Sequence, residues 1–380
     1  MTRIALLVAA LWPLAGCYAS HRVPTPSPSD DPEFDAETPL NLAFDEDGVL
    51  LGEGFPDDRF QVVAGSAPSL SDDGRWLVTT RRVEHEGDDL TLTARINDLV
   101  TGAVREFDMG GHSLASISGD GSALIYVRGE GGLDALVVAD RATLEERVAV
   151  RAIHAALFTQ PPSISDDARR AVVWTQESVS PDGARGMVVD VETGAVEPLR
   201  DTRGAYISGG TISGDGRSVT YWSFAHLDDF DAAEAVIVGP SGSAQALTGV
   251  ARWDAISDDG CEFIAATEAV VEPTEGPPIL GLAVFVDGRR VALGPEGEPT
   301  VVVSHVALSG DGGTAVMIVA SMLVRIRLTD GRVETQDLGG CGASSLAVSD
   351  DGAVIAVGVF GCDASREPNE HTRVFRPGTW

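Results

Sequence analysis

No lysine occurs in this 380-residue chain, so all 27 of its basic residues are arginine. That removes Schiff-base chemistry and the phosphate-binding lysine of a P-loop. Basic charge is scarce as well. Against 58 acidic residues it leaves a formal net charge of −31, which argues for solubility and against nucleic acid as a partner, since phosphate neutralisation needs a basic patch. Three local catalytic signatures are absent: Gly-x-Ser-x-Gly, His-Glu-x-x-His and Cys-x-x-Cys. The one pronounced apolar run at the start, Ile4 to Leu14, is too short to span a bilayer.

What is present is a phrase met seven times: Ser71-Asp72-Asp73-Gly74, Ser118-Gly119-Asp120-Gly121, Ser165-Asp166-Asp167-Ala168, Ser213-Gly214-Asp215-Gly216, Ser257-Asp258-Asp259-Gly260, Ser309-Gly310-Asp311-Gly312 and Ser349-Asp350-Asp351-Gly352. An aliphatic residue precedes each copy and a short apolar run follows it. The spacing, in the forties with one longer step, is that of a β-propeller with one four-stranded blade per repeat. The fold class expected is therefore all-β: a seven-bladed β-propeller of four-stranded antiparallel blades. The third-place Asp and fourth-place Gly are read as structural turn residues, Asp bonding its own backbone and Gly supplying positive φ. Ala168 breaks the pattern and predicts either a strained turn or another turn type. The residue two before each serine is small (Ser69, Ser116, Ser163, Thr211, Ala255, Ala307, Ala347), as suits strands converging on an axis. Repeat seven stops at Trp380 after its third strand, and Arg59 to Ala64 is expected to supply its missing outer strand.

The phrase aliphatic-Ser-x-Asp-Gly resembles the WD40-like PD40 repeat of TolB-type periplasmic propellers, and is similar to the propellers of the prolyl oligopeptidase group. The likeness covers roughly residues 59 to 380. It departs from the family's Ser-Pro-Asp-Gly at the second place of every copy. A literal Ser180-Pro181-Asp182-Gly183 follows Ser165 too soon to begin a blade and is read as a hairpin loop within blade three. The resemblance implies a fold more than a function, because propellers host enzymes, scaffolds and binders alike.

Residues 1–16 look like a bacterial lipoprotein signal, with Arg3 as the positive start and Leu14-Ala15-Gly16-Cys17 resembling a lipobox that makes Cys17 the lipid-attachment site. Residues 17–40 read as a disordered Pro/Ser/Asp-rich tether and 41–380 as the propeller. The expected location is the bacterial envelope, lipid-anchored and at the outer membrane, as a monomer touching the membrane through its lipid alone. Asp45-Glu46-Asp47-Gly48 echoes the repeat turn without its serine and is expected to pack on the ring. Cys341 and Cys362 stand at opposite sides of one hairpin and are expected to form a disulfide. Cys261 is read as a core residue.

Candidate chemistry is thin. His21, His85, His112, His154, His226, His305 and His371 are scattered, so no ring of metal ligands is expected, and no cofactor. His112 and His305 precede inner strands and, with Arg252, Trp253 and Asp254, are the candidates for ligand contact at the axial mouth. The insertion from Phe224 to Asp231 and the loop from Glu268 to Pro278 are recognition candidates because loops on a rigid scaffold often bind. Two functions compete. One is a noncatalytic envelope scaffold binding a protein, peptide or cell-wall component. The other is a hydrolase or lyase acting on carbohydrate or peptide at the axial funnel. A peptidase of the prolyl oligopeptidase type would need an α/β-hydrolase domain that this sequence does not contain. Ionisable groups clustered at the axis with displaced pKa would favour the enzyme, and a smooth throat of small residues the scaffold.

Overall fold

The computed structural model describes strands and tight turns from Ala43 to Gly378. Outside it lie 1–42, 45–49, 56–58, 85–89, 111–113, 131–132, 154–160, 175–185, 200–205, 225–233, 240–243, 248–249, 261–262, 272–278, 287–288, 294–302, 320, 363–369 and 379–380. Among the described residues every regular element is a strand, and seven sheets carry four strands or more. Each begins with an inner strand that ends at the repeated phrase: Ser66–Leu70, Ser116–Ile117, Ser163–Ile164, Tyr206–Ile212, Val250–Ile256, Val303–Leu308 and Gly342–Val348. Each inner strand touches the next, and the seventh touches the first. The result is a β-propeller.

Strand alternation explains where the core lies. Successive side chains leave opposite faces, so each blade sends one face to the blade before it and the other to the blade after. Ile125, Val127 and Leu136 of blade 2 pack on Ile164, Val173 and Met187 of blade 3. Val172, Trp174 and Leu199 of blade 3 pack on Ile212, Val219 and Tyr221 of blade 4. Ile355, Val357 and Phe375 of blade 7 face Val316, Ile318 and Leu323 of blade 6. The apolar core is thus divided among the clefts between blades, not gathered at the centre.

The ring closes as expected. Phe60–Ala64 is the outer strand of blade 7 and pairs antiparallel with Glu370–Phe375. Thr372 Oγ1 donates to Gly65 O at 2.9 Å and Thr79 Oγ1 to Ala64 O at 2.8 Å, tying the closing strand to blades 7 and 1. One addition had no periodicity to reveal it. Glu53–Gly54 joins the outer edge of blade 6 as a parallel fifth strand. Arg332 holds Glu53 at 2.7 Å, and Phe55 is buried edge-on against Phe375. Just before it, Ala43–Phe44 and Leu50–Leu51 form a two-stranded hairpin, while the echo phrase at 45–48 lies outside the described residues. So does 180–183, although the strands on either side, Arg170–Trp174 and Gly186–Asp190, pair directly in one sheet.

Candidate functional site

The repeated phrase builds a small polar knot. In all seven copies the serine hydroxyl donates to the third-place aspartate, at 2.6 to 2.9 Å. The same aspartate accepts the amide two residues on, as at Arg75 (2.9 Å), Arg169 (3.0 Å) and Ala353 (2.9 Å). The serine oxygen accepts the amide five residues on, as at Trp76, Ala123 and Val354, each 3.0 Å. The serines are buried at 0 or 1 % exposure, so these bonds satisfy groups that water does not reach.

The fourth place explains Ala168. It adopts φ 57°, where the glycines of the other copies lie between 62° and 71°, and its amide makes the same bond to Ser165 O, 3.0 Å. Of the two expectations, the strained turn is the one found. A Cβ at Gly74, Gly121, Gly260 or Gly352 would strike Val354, Trp76, Ser218 or Thr314 of the preceding blade. The corresponding neighbour of Ala168 is Ala123, and the two share one apolar cluster. The one repeat with a methyl group at this turn faces a residue small enough to admit it.

The second place makes the axis. Turn amides and carbonyls join blade to blade in a closed circle. Asp72 N donates to Gly119 O (2.8 Å), Asp120 N to Asp166 O (3.1 Å), Asp166 N to Gly214 O (2.9 Å) and Asp215 N to Asp258 O (2.7 Å). Asp258 N donates to Gly310 O (2.9 Å), Asp311 N to Asp350 O (3.2 Å), and Asp350 N to Asp72 O (2.9 Å). Around that circle the second place reads Asp72, Gly119, Asp166, Gly214, Asp258, Gly310, Asp350. Seven is odd, so the alternation cannot close and Asp350 meets Asp72. The three glycines are required for space. A Cβ at Gly310 would lie 2.6 Å from Asp350 Oδ1, one at Gly214 2.6 Å from Asp166 Cγ, and one at Gly119 would run into the carboxylates of both Asp72 and Asp166.

Four carboxyl groups therefore share one narrow throat. Burial and then neighbouring carboxylates push Asp72 up to about 6, Asp166 to about 7 and Asp258 to about 8. Asp350 is also raised, by burial first and then by Asp311 and Asp351. Asp258 shares a side-chain hydrogen bond with Asp350 that raises the first and lowers the second, so Asp258 keeps the proton and donates it. One oxygen each from Asp72, Asp166 and Asp258 lie within 4.8 Å of one another. Such a set of hard oxygen ligands suits a divalent cation of the calcium or magnesium kind. Without one, the group holds protons near neutral pH, which suits acid–base exchange.

Of the ligand-contact residues singled out from sequence, only His305 has a described side chain. His305 lies in the inner strand of blade 6, four residues and about 13 Å of strand from the turn. It is hydrogen-bonded to the backbone of Ser344 in blade 7, and burial lowers its pKa, so it is neutral at pH 7. Arg252, Trp253 and Asp254 enter the inner strand of blade 5 at a bulge between Ala251 and Trp253. Their side chains, like His112, the Phe224–Asp231 tip, most of the Glu268–Pro278 loop, Cys17 and Cys261, lie outside the described residues. Cys341 and Cys362 are joined, with Cα atoms 4.4 Å apart. The axial carboxylates stand a whole repeat apart or more in sequence, beyond the reach of any local ligand pattern. The signal was the Asp/Gly alternation at the second place. On the same face, between blades 3 and 4, a shallow depression is lined by Asp167, Arg169, Arg170, Asp190, Asp215 and Arg217. Its charges pair with one another, Arg169 with Asp167 at 3.7 Å and Arg217 with Asp215 at 3.9 Å.

No family model and no curated protein matches the chain. Solved structures do. The β-propeller domain of the Trilobed protease from Pyrococcus furiosus, described as having an open velcro topology, matches with TM-score 0.59 and 15% identity over 84% of this chain and 97% of that one. An acylaminoacyl peptidase from Pyrococcus horikoshii matches with TM-score 0.59 and 13% identity over 84% of this chain and 52% of its own. An oligogalacturonate lyase from Vibrio parahaemolyticus matches with TM-score 0.55 and 14% identity over 84% and 92%. The chain spans about half the length of the acylaminoacyl peptidases it matches. At such identities the likeness is one of fold, and the fold is the β-propeller.

Proposed function

We propose that this chain is a noncatalytic binding scaffold of the bacterial envelope, TolB-like in its repeat, anchored through a lipid on Cys17, and engaging a protein, peptide or cell-wall component through one end of its ring. The observation that carries the reading is where the repeats differ. At the end bearing the repeated phrase, the link from inner to second strand is five or six residues in every blade. At the other end, the link from second to third strand runs from two residues, Gly131 and Gly132, to eleven, 175–185. Length variation concentrated at one end of a rigid frame is how scaffolds present binding loops.

A second reading has its own observation. The axial carboxyls are clustered ionisable groups with displaced pKa, the feature that favours an enzyme. A protonated Asp258 beside Asp350 is an acid–base pair working near neutral pH, and a hydrolase or lyase acting on carbohydrate or peptide would use it. Crosslinking in intact cells followed by mass spectrometry, beside turnover assays on the purified ring, separates the two. The scaffold reading expects a partner crosslinked through the variable loops and no turnover. Turnover of a glycan or peptide that Asp258→Asn abolishes, with no partner recovered, would reverse the order.

A further inference from the structure

The disulfide of blade 7 has a cation at its back. Arg373, 7 % exposed on the third strand, points a guanidinium at both sulfurs: Nη2 is 3.1 Å from Cys341 Sγ and 3.6 Å from Cys362 Sγ. It is fixed there by Nη1, which donates to Leu338 O at 2.8 Å, and by the Phe60 ring, 4.5 Å from its central carbon. A neutral disulfide gains little from such a neighbour. A thiolate gains much, because a nearby arginine lowers thiol pKa, and a better leaving thiolate departs faster in exchange.

The two sulfurs differ. Cys341 is 3 % exposed and nearer the guanidinium, whereas Cys362 is only half-buried. Among the described residues the approach is bare: Gly339, Gly340 and Gly361 flank the bridge, all are exposed, and a Cβ on any of them would meet nothing within 4 Å.

We propose that Cys341–Cys362 is an exchangeable disulfide that a dithiol reductant attacks at Cys362. The reductant's thiolate forms a bond to Cys362 Sγ. The Cys341–Cys362 bond breaks, and Cys341 leaves with the electron pair as a thiolate against Arg373. The reductant's second thiol loses its proton and attacks the mixed disulfide, releasing Cys362, which takes up a proton. The reductant departs as a disulfide, two electrons having passed to the chain. Arg373 is a positioning residue in this step, and it lies over Phe60 of the closing strand. The redox state of the bridge is thereby read at the place where the ring is joined.

The test uses the oxidised full chain and glutathione as probe, with rapid acid quench, alkylation and peptide mapping. The expected result is glutathione on Cys362 and the alkyl group on Cys341. Glutathione on Cys341, or on both cysteines equally, overturns the proposal. In the Cys362→Ser variant, alkylation of Cys341 against pH is expected to half-saturate below the ordinary thiol value of about 8.5, and to return to or above it when Arg373→Gln is added. A half-point at or above the ordinary value in the single variant overturns the proposal. If Arg373→Gln does not fold, the mapping on the unaltered chain decides alone.

Discussion

The two ends of the ring obey different rules. At the turn end the seven phrases share one local knot: each serine donates to its third-place aspartate, and the turns bond to one another in a circle, through the second-place amide where that place is Asp and the third-place amide where it is Gly. At the loop end the links from second to third strand run from two to eleven residues. The difference teaches where constraint comes from. A turn packed against its copies on both sides can change only if its neighbours change too, as the pair Ala168 and Ala123 shows. The links at the other end show no such shared length, from two residues in blade 2 to eleven in blade 3.

The sharpest way to break this contrast is to compare the ends directly. Gly310→Val fills the throat between Asp258 and Asp350 and is expected to cost about 2–3 kcal/mol through overpacking. A five-residue Gly/Ser insertion after Asp229 is expected to cost less than about 1 kcal/mol, since loop closure grows slowly with length. Denaturant titration of both variants measures the gap, and equal losses would erase the distinction. Next in size is Ser309→Ala. It takes the Ser309 oxygen from the buried Thr314 amide and the hydroxyl donor from Asp311, whose carboxylate keeps the Gly313 amide, at about 1–3 kcal/mol for a buried group that loses its bond, again read by denaturant midpoint.

The axial carboxyls sharpen the contrast through pH. Their folded pKa values, about 6, 7 and 8 for Asp72, Asp166 and Asp258, stand above the ordinary carboxylate value of 3.8. Between those limits the unfolded chain is ionised while the folded ring still holds protons. Folding therefore takes protons up, and its stability is fullest below pH 4 as regards these groups and declines as pH rises through 6 to 8. Thermal melts from pH 5 to 9 are expected to fall, and Asp258→Asn to flatten the decline. A profile unchanged by that substitution would show that the carboxyls do not share the throat. The remaining effect expected is a gain. Ala168→Gly relieves a left-handed alanine and is expected to stabilise by about 1 kcal/mol; a loss in the denaturant midpoint would mean that the methyl contact with Ala123 outweighs the strain.

Most of the architecture was legible because the repeat is local. Seven serines, their spacing and the apolar run after each are enough to place blades, and Phe60–Ala64 announces itself by the gap it fills. The parallel pair Glu53–Gly54 was not legible, since two residues carry no period and their partner lies some 280 positions away. The throat was half legible. Its Asp/Gly alternation is plain in the seven phrases, but nothing local says that second-place side chains turn inward while third-place aspartates turn back on their own serines. That follows from blade-to-blade bonds, which exist only once the ring is shut. His305 sits near the axis in sequence order, and its bond to the Ser344 backbone ties two inner strands together, while His112 lies outside the described residues.

The bond that shuts the ring runs from the Asp350 amide in the last repeat to the Asp72 carbonyl in the first, at 2.9 Å. Amide hydrogen exchange at Asp350 reads it directly. A closed circle predicts slowing there on the order of a thousandfold or more relative to an exposed amide, in step with the Asp258 amide on the far side of the ring. Exchange of Asp350 at the rate of an open turn, with Asp258 still protected, would mean that the circle is not joined.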